Sequence, residues 1–85
     1  MTLTGKLIKD ANPLRMATIT NDSQGEDFHK CLEESFLLLC KELGIPIPLW
    51  LRKNTKEFAC FHKTFFPRDQ FLEPMNFDRF ELILD

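Results

Sequence analysis

The spacing of apolar and polar residues changes period several times along the chain, and each change marks an element. Residues 2–9, TLTGKLIK, alternate with Leu3 and Leu7 on one face and Gly5 between them, the period of two expected of a half-buried strand. DANP breaks that pattern with turn residues, and LRMATIT at 14–20 resumes extended character. Two such runs around a short turn predict an antiparallel hairpin. NDSQGED is the next break. Ser23 with Glu26 fits a capping box, and Asp22, Glu26 and Asp27 suit the positive end of a helix dipole. From Asp27 the pattern turns helical: Phe28, Leu32, Phe36, Leu39 and Leu43 recur at steps of four, four, three and four, which is one apolar stripe. Lys41 in the last turn and Gly44 at the stop complete the signature of a long amphipathic helix.

IPIPLWL cannot continue the helix, because Pro46 and Pro48 hold themselves and their neighbours extended. It reads as a stiff connector that returns Leu49, Trp50 and Leu51 to the core. Asn54 with Glu57 forms a second N-cap candidate. EFACFHKTFF, residues 57–66, admits two periods. As a strand it mixes Lys63 into an apolar row. As a helix it sets Phe58, Phe61 and Phe65 at i, i+3 and i+7. The helical period predicts a short helix over about residues 55–63, ended by the approach of Pro67, with one further turn over 67–73. FDRFELILD alternates again and closes the chain as a strand. The expected architecture is a single α+β domain over residues 1–85. It comprises an N-terminal β-hairpin, a long amphipathic helix, a short second helix and a C-terminal strand, with a three-stranded antiparallel sheet carrying its helices on one face. Phe58, Phe61 and Phe65 are expected to join Phe28, Leu32, Phe36 and Leu39 in the core.

Composition narrows the function classes. The chain has nine Phe and no Tyr, and Phe buries area without a hydroxyl that needs a partner. A net charge of −2 argues against a protein that coats nucleic acid, which usually shows a basic excess. Charge is uneven, however: residues 52–68 hold five Lys/Arg against one Asp/Glu. Trp50 with Arg52, Lys53, Lys56, Lys63 and Arg68 is therefore the candidate surface for a weak nucleic-acid contact, a ring for stacking beside phosphate-binding cations. The plainer reading, in which Trp50 seals the core and the charges solvate a helix start, is preferred.

Three dispersed cysteines cannot all pair, which points to a reducing compartment. The N-terminal stretch has no apolar signal region, and no run approaches the ~20 apolar residues of a membrane span. A cytoplasmic protein with no membrane segment is expected. His29-x-Cys31 and Cys60-x-His62 lack the spacing of structural zinc sites, and residues two apart on a helix diverge by about 200°, so neither metal nor cofactor is expected. Glu33–Glu34 and Glu26–Asp27 read as solvated and capping pairs. No Gly-rich oxyanion loop accompanies the Cys and His residues, so no catalytic residue is assigned.

The second half, IPIPLWLRKNTKEFACFHKTFFPRDQF with the closing FDRFELILD, resembles a group of short uncharacterised bacterial proteins. They share a Pro-x-x-Leu/Trp-Leu segment, an Asn-x-x-Glu-Phe start and a closing Phe-Asp strand. The resemblance covers about half the chain and implies a bacterial cytoplasmic origin without an activity. The reading that results is a non-enzymatic module that binds another protein or a second copy of itself. Leu37 and Leu38 are its candidate surface: with Leu32, Phe36, Leu39 and Leu43 turned to the sheet, Leu37 points nearly opposite and Leu38 lies at the flank. An uncovered edge of the closing strand is a second route to association.

Overall fold

A computed structural model describes residues 1–22 and 27–85. The order of elements is β1 (Thr2–Lys9), β2 (Asn12–Thr20), α1 (Phe28–Leu43), α2 (Arg52–Phe61), β3 (Lys63–Pro67), a 3-10 turn (Arg68–Gln70) and β4 (Arg79–Leu84). The strands form one antiparallel sheet in the order β2-β1-β4-β3. The α+β class, the hairpin, the two helices and the closing strand are as expected, and the helices pack on one face of the sheet. Among the described residues the strand count is four, not three. The closing strand β4 lies inside the sheet between β1 and β3, so it offers no edge, and the edges are β2 and β3.

The hairpin turns at Asp10 and Ala11, both left-handed at φ 52° and 66°. Lys9 faces Asn12 across them, the two-residue arrangement whose twist matches that of the strands. Asp78 Oδ2 accepts from the Asp10 N–H at 2.8 Å. Gly5 is required for packing rather than turning: a Cβ there would stand 2.7 Å from the Phe80 ring and 2.9 Å from Leu39. Side chains alternate along each strand. Leu3, Leu7, Phe66, Phe80 and Leu82 face the helices and meet Phe36, Leu39, Cys40 and Leu43 of α1 and Phe58 of α2. Phe71 and Phe77, from the loop between β3 and β4, close the end of this core, ring edge to ring face at 5.3 Å.

Asp27 is the N-cap of α1 and accepts from the His29 N–H at 3.1 Å. The expected Ser23–Glu26 box lies outside the described residues. Gly44 ends the helix in the left-handed region at φ 69°. Its N–H reaches the Lys41 carbonyl at 3.1 Å and the Ile45 N–H reaches Cys40 at 3.0 Å, a Schellman ending with its apolar residue just beyond. Arg15 of β2 donates to the Leu43 carbonyl at 3.0 Å, placing a cation at the negative end of the helix.

The stretch 57–66 is helix and then strand, and the switch falls at His62. Its φ of 55° turns the chain left-handed and ends α2, so β3 begins two residues inside what the phenylalanine spacing marks as one helical stripe. Phe58 is core as expected. Phe61 is 75% exposed and Phe28 50% exposed, because each lies on a rim of its helix rather than over the sheet. Phe65 faces the outer side of the sheet, half-buried between the Lys63 ammonium at 5.3 Å and the Arg79 guanidinium at 5.1 Å. α2 starts three residues earlier than the periodicity marks, with Leu51 as N-cap. Asn54 is the third residue of that helix and reaches back to the Leu51 N–H at 2.9 Å. Of the connector, Trp50 packs on the core while Leu49 and Leu51 stay exposed. Pro67 closes β3 and leads into a single 3-10 turn.

Candidate functional site

The helices leave a groove between them. α1 and α2 lie over different strands, α1 over β1 and β2 and α2 beside β3, and Trp50 bridges them rather than direct helix packing. Its ring stands edge-on to Phe36 at 5.5 Å and to Phe58 at 5.7 Å, and lies tilted 5.4 Å from Phe66. The indole N–H is satisfied by Thr55 Oγ1 at 2.8 Å, so the ring shows the groove an apolar surface. On one side of it, Phe28, Leu32, Phe58, Ala59 and Leu84 wall a cavity of about 410 Å³. On the other, Leu32, Phe36, Leu37, Ile47 and Pro48 wall one of about 310 Å³. His29, Leu32 and Trp50 belong to both, so the two are lobes of one trough. Each lobe falls within the volume range of sites that bury a ligand or an anchor side chain.

A polar clip anchors the floor of the trough. Asn54, fully buried, donates to Thr64 Oγ1 at 2.7 Å and to the Phe65 carbonyl at 2.9 Å. Its Oδ1 accepts from Gln70 Nε2 at 3.0 Å. The Thr64 hydroxyl donates in turn to Glu57 Oε1 at 2.7 Å. Gln70 also donates to the Leu49 carbonyl at 2.8 Å, and the Leu49 N–H returns a bond to the Gln70 carbonyl at 2.7 Å. The connector and the start of α2 are thereby fixed to β3 and to the turn after it. The extended prolines in between carry the chain past Trp50.

The rim of the groove is apolar and open to water: Phe28 is 50%, Leu37 41% and Ile47 56% exposed. The two candidate leucines separate. Leu37 lines the groove instead of pointing away from the sheet alone. Leu38, 52% exposed, lies on the other flank of α1. Cys31, Ser35, Leu38 and Glu42 form one row of that helix at steps of four, three and four. Ser35 accepts from Asn21 at 3.4 Å and the Glu42 carbonyl from Arg15 at 3.5 Å, so that row overlooks β2.

The residues of the nucleic-acid reading divide between surfaces. Trp50 is packed in the groove floor. Arg52, Lys53 and Lys56 stand exposed on α2, and Arg68 on the 3-10 turn. Lys63 projects from the outer face of the sheet, in an ion pair with Glu81 at 3.3 Å. No single face presents an aromatic platform with these cations around it.

Cys31 and Cys40 are buried and Cys60 is exposed. Burial pushes the Cys40 thiol from 9.0 up to about 12, so it is a protonated apolar group at neutral pH. Among the described residues, no three His, Cys, Asp or Glu side chains gather at metal-ligand range. No helix in them is long and apolar enough to cross a membrane. His29 and His62 stand together at the groove mouth, and their distance along the chain hides that the fold brings both to one cavity. No protein-family model, curated protein or solved structure matches the chain.

Proposed function

We propose that this chain is a non-enzymatic protein-interaction module of the bacterial cytoplasm, and that the groove between α1 and α2 receives an amphipathic helix of a partner protein. The observation that carries the reading is an apolar trough whose floor is anchored by buried hydrogen bonds while its rim residues Phe28, Leu37 and Ile47 stay about half exposed. Laying an amphipathic helix into such a groove is a recurrent recognition mode, with anchors one turn apart filling adjacent lobes. The two lobes beside Trp50 suit two such anchors. At about 100° per residue, Arg52 and Lys56 follow Thr55 and Ala59 around α2 onto the outer rim, which favours a partner helix with an acidic flank. The nucleic-acid alternative finds less support, because its residues divide between the two sides of the sheet.

Photo-crosslinking in cells of the native host tests this reading, with the reactive residue at Leu37 and, as a control, at Asp69. A partner adduct from position 37 alone, lost when Ile47→Glu charges the groove, is expected. A complex with a synthetic peptide from that partner should shift the emission of Trp50, the single tryptophan. Equal adducts from both positions, or adducts indifferent to Ile47→Glu, would refute it. A self-adduct from position 37 would move the reading to self-association through the groove.

A further inference from the structure

We infer that two copies of this chain join along their β2 strands, about a two-fold axis at Thr18, into one continuous eight-stranded sheet. The two edges of the sheet are treated differently. β3 has five residues and ends in Pro67, and α2 covers it: Asn54 occupies the Phe65 carbonyl at 2.9 Å. β2 has nine residues and, among the described residues, no element beyond it in the sheet. The devices that normally blunt an edge are short length, lysine, proline and bulges. In β2, Pro13 and the register shift sit together at the hairpin end, and from Met16 to Thr20 the strand has none of them.

Hydrogen-bond alternation fixes which groups face outward. Met1 and Asn21 exchange both backbone bonds, at 2.9 and 3.1 Å. Counting by two from that pair, Ile19, Ala17 and Arg15 bond to β1. Met16, Thr18 and Thr20 therefore direct their N–H and C=O groups along the free edge. An antiparallel edge is complementary to itself. Thr18 pairs with Thr18 of the second copy, and Met16 with its Thr20. On the outer face this extends a threonine row already present, in which Thr4 and Thr18 hydroxyls meet at 3.2 Å. Such cross-strand pairs are the unit of sheet stability.

Charge permits the pairing. The one ionisable side chain of β2 is Arg15, drawn under the end of α1 by the Leu43 carbonyl, so the paired strands bring no like charges face to face. Apolar cover is present on both sides of the new ladder. Met16 is 63% exposed on the outer face, and Leu38 is 52% exposed on the α1 flank that overlooks β2. Leu38 of the two copies would approach each other above the joined strands. This accounts for the excess leucine on α1 that neither the core nor the groove uses, and it leaves the groove free.

The test combines solution mass with amide exchange. Wild type should show twice the 10.0 kDa of the chain by light scattering across a series into the high-micromolar range. The amides of Met16, Thr18 and Thr20 should exchange as slowly as those of Ala17 and Ile19. Thr18→Pro removes an outward N–H and no bond to β1, so it should give a folded monomer in which Met16 and Thr20 exchange at least tenfold faster. Leu38→Lys should weaken the dimer and Leu37→Lys should leave it intact. A monomeric wild type, fast exchange at residues 16, 18 and 20 beside slow exchange at 17 and 19, or a dimer that survives Thr18→Pro would each overturn the inference. A dimer lost in Leu37→Lys but kept in Thr18→Pro would also overturn it, and would place the contact in the groove.

Discussion

Truncating Asn54 to alanine should remove a large share of the stability of this domain while touching almost no apolar area. The side chain is fully buried and takes part in four hydrogen bonds. Two partners survive its loss, since Gln70 Nε2 keeps the Leu49 carbonyl and Thr64 keeps Glu57. The other two do not: the Leu51 N–H and the Phe65 carbonyl have no other partner within the clip. Both bonds are part-buried, so each group left unpaired costs toward the lower end of about 1–3 kcal/mol, and the vacated volume adds a cavity cost. The expected loss is therefore about 2–4 kcal/mol, against a total margin on the order of 5–10 kcal/mol for a domain of this size. Urea denaturation followed by Trp50 emission reads it as a fall in midpoint at unchanged slope. Gln70→Ala should cost less alone, and the double variant less than the sum, by at least ~0.5 kcal/mol, because the two residues share a bond. An Asn54→Ala loss below about 1 kcal/mol would mean that the groups have other partners, and the account of the clip would fail.

Phe61→Ala, at 75% exposure, should shift stability by no more than ~0.5 kcal/mol, whereas Phe66→Ala, fully buried, should cost about 3–5 kcal/mol; equal effects in urea melts would contradict the break at His62. Ala11→Gly should stabilise by about 1 kcal/mol, since φ of 66° is strained for alanine and free for glycine, and a lower thermal midpoint would count against the hairpin turn. In a thiol-labelling time course Cys60 should react first, with Cys31 and Cys40 reacting only on unfolding. Because burial raises Cys40 from 9.0 to about 12, the folded thiol keeps its proton longer than the unfolded one. That contribution is intact below pH 9.0 and is lost as pH rises toward 12, a slope that Cys40→Val should flatten.

Elements whose evidence is local were legible in the sequence. The alternation of Leu3, Gly5 and Leu7, the stripe from Leu32 to Leu43 and the stop at Gly44 each depend on a few neighbouring residues, and each holds in the structure. The 57–66 stretch was not legible, because Phe58, Phe61 and Phe65 satisfy a helical period by coincidence. Phe58 covers the core, Phe61 faces water and Phe65 belongs to the outer face of another element. The only local mark of the switch is the left-handed His62, and histidine announces that conformation far less clearly than glycine. The missed strand also moved the closing strand from an edge to the interior, which no pattern within FDRFELILD records. The groove was hidden for a related reason: it exists because two helices lie apart, and neither helix's own pattern carries that distance.

That separation is the physical link between the polar clip and the apolar groove. Left to burial alone, Phe28 and Leu32 of α1 would draw Ala59 and the rest of α2 across the larger lobe, at roughly 25 cal/mol for each Å² covered. Moving α2 would tear Asn54 from β3 and Gln70 from the connector, exposing buried groups to loss at about 1–3 kcal/mol apiece. The residues between Gly44 and α2 cannot absorb such a shift cheaply, since Pro46 and Pro48 hold them extended. A network of this kind adds little net stability compared with an apolar substitute, but it specifies one position for the helix. Thr64, Asn54 and Gln70 are therefore best understood as the residues that keep the trough beside Trp50 open. In an Asn54→Ala variant that still folds, the cavity walled by Phe28, Leu32 and Phe58 should contract as α2 moves in, and the rim should lose the exposure that a partner helix would need.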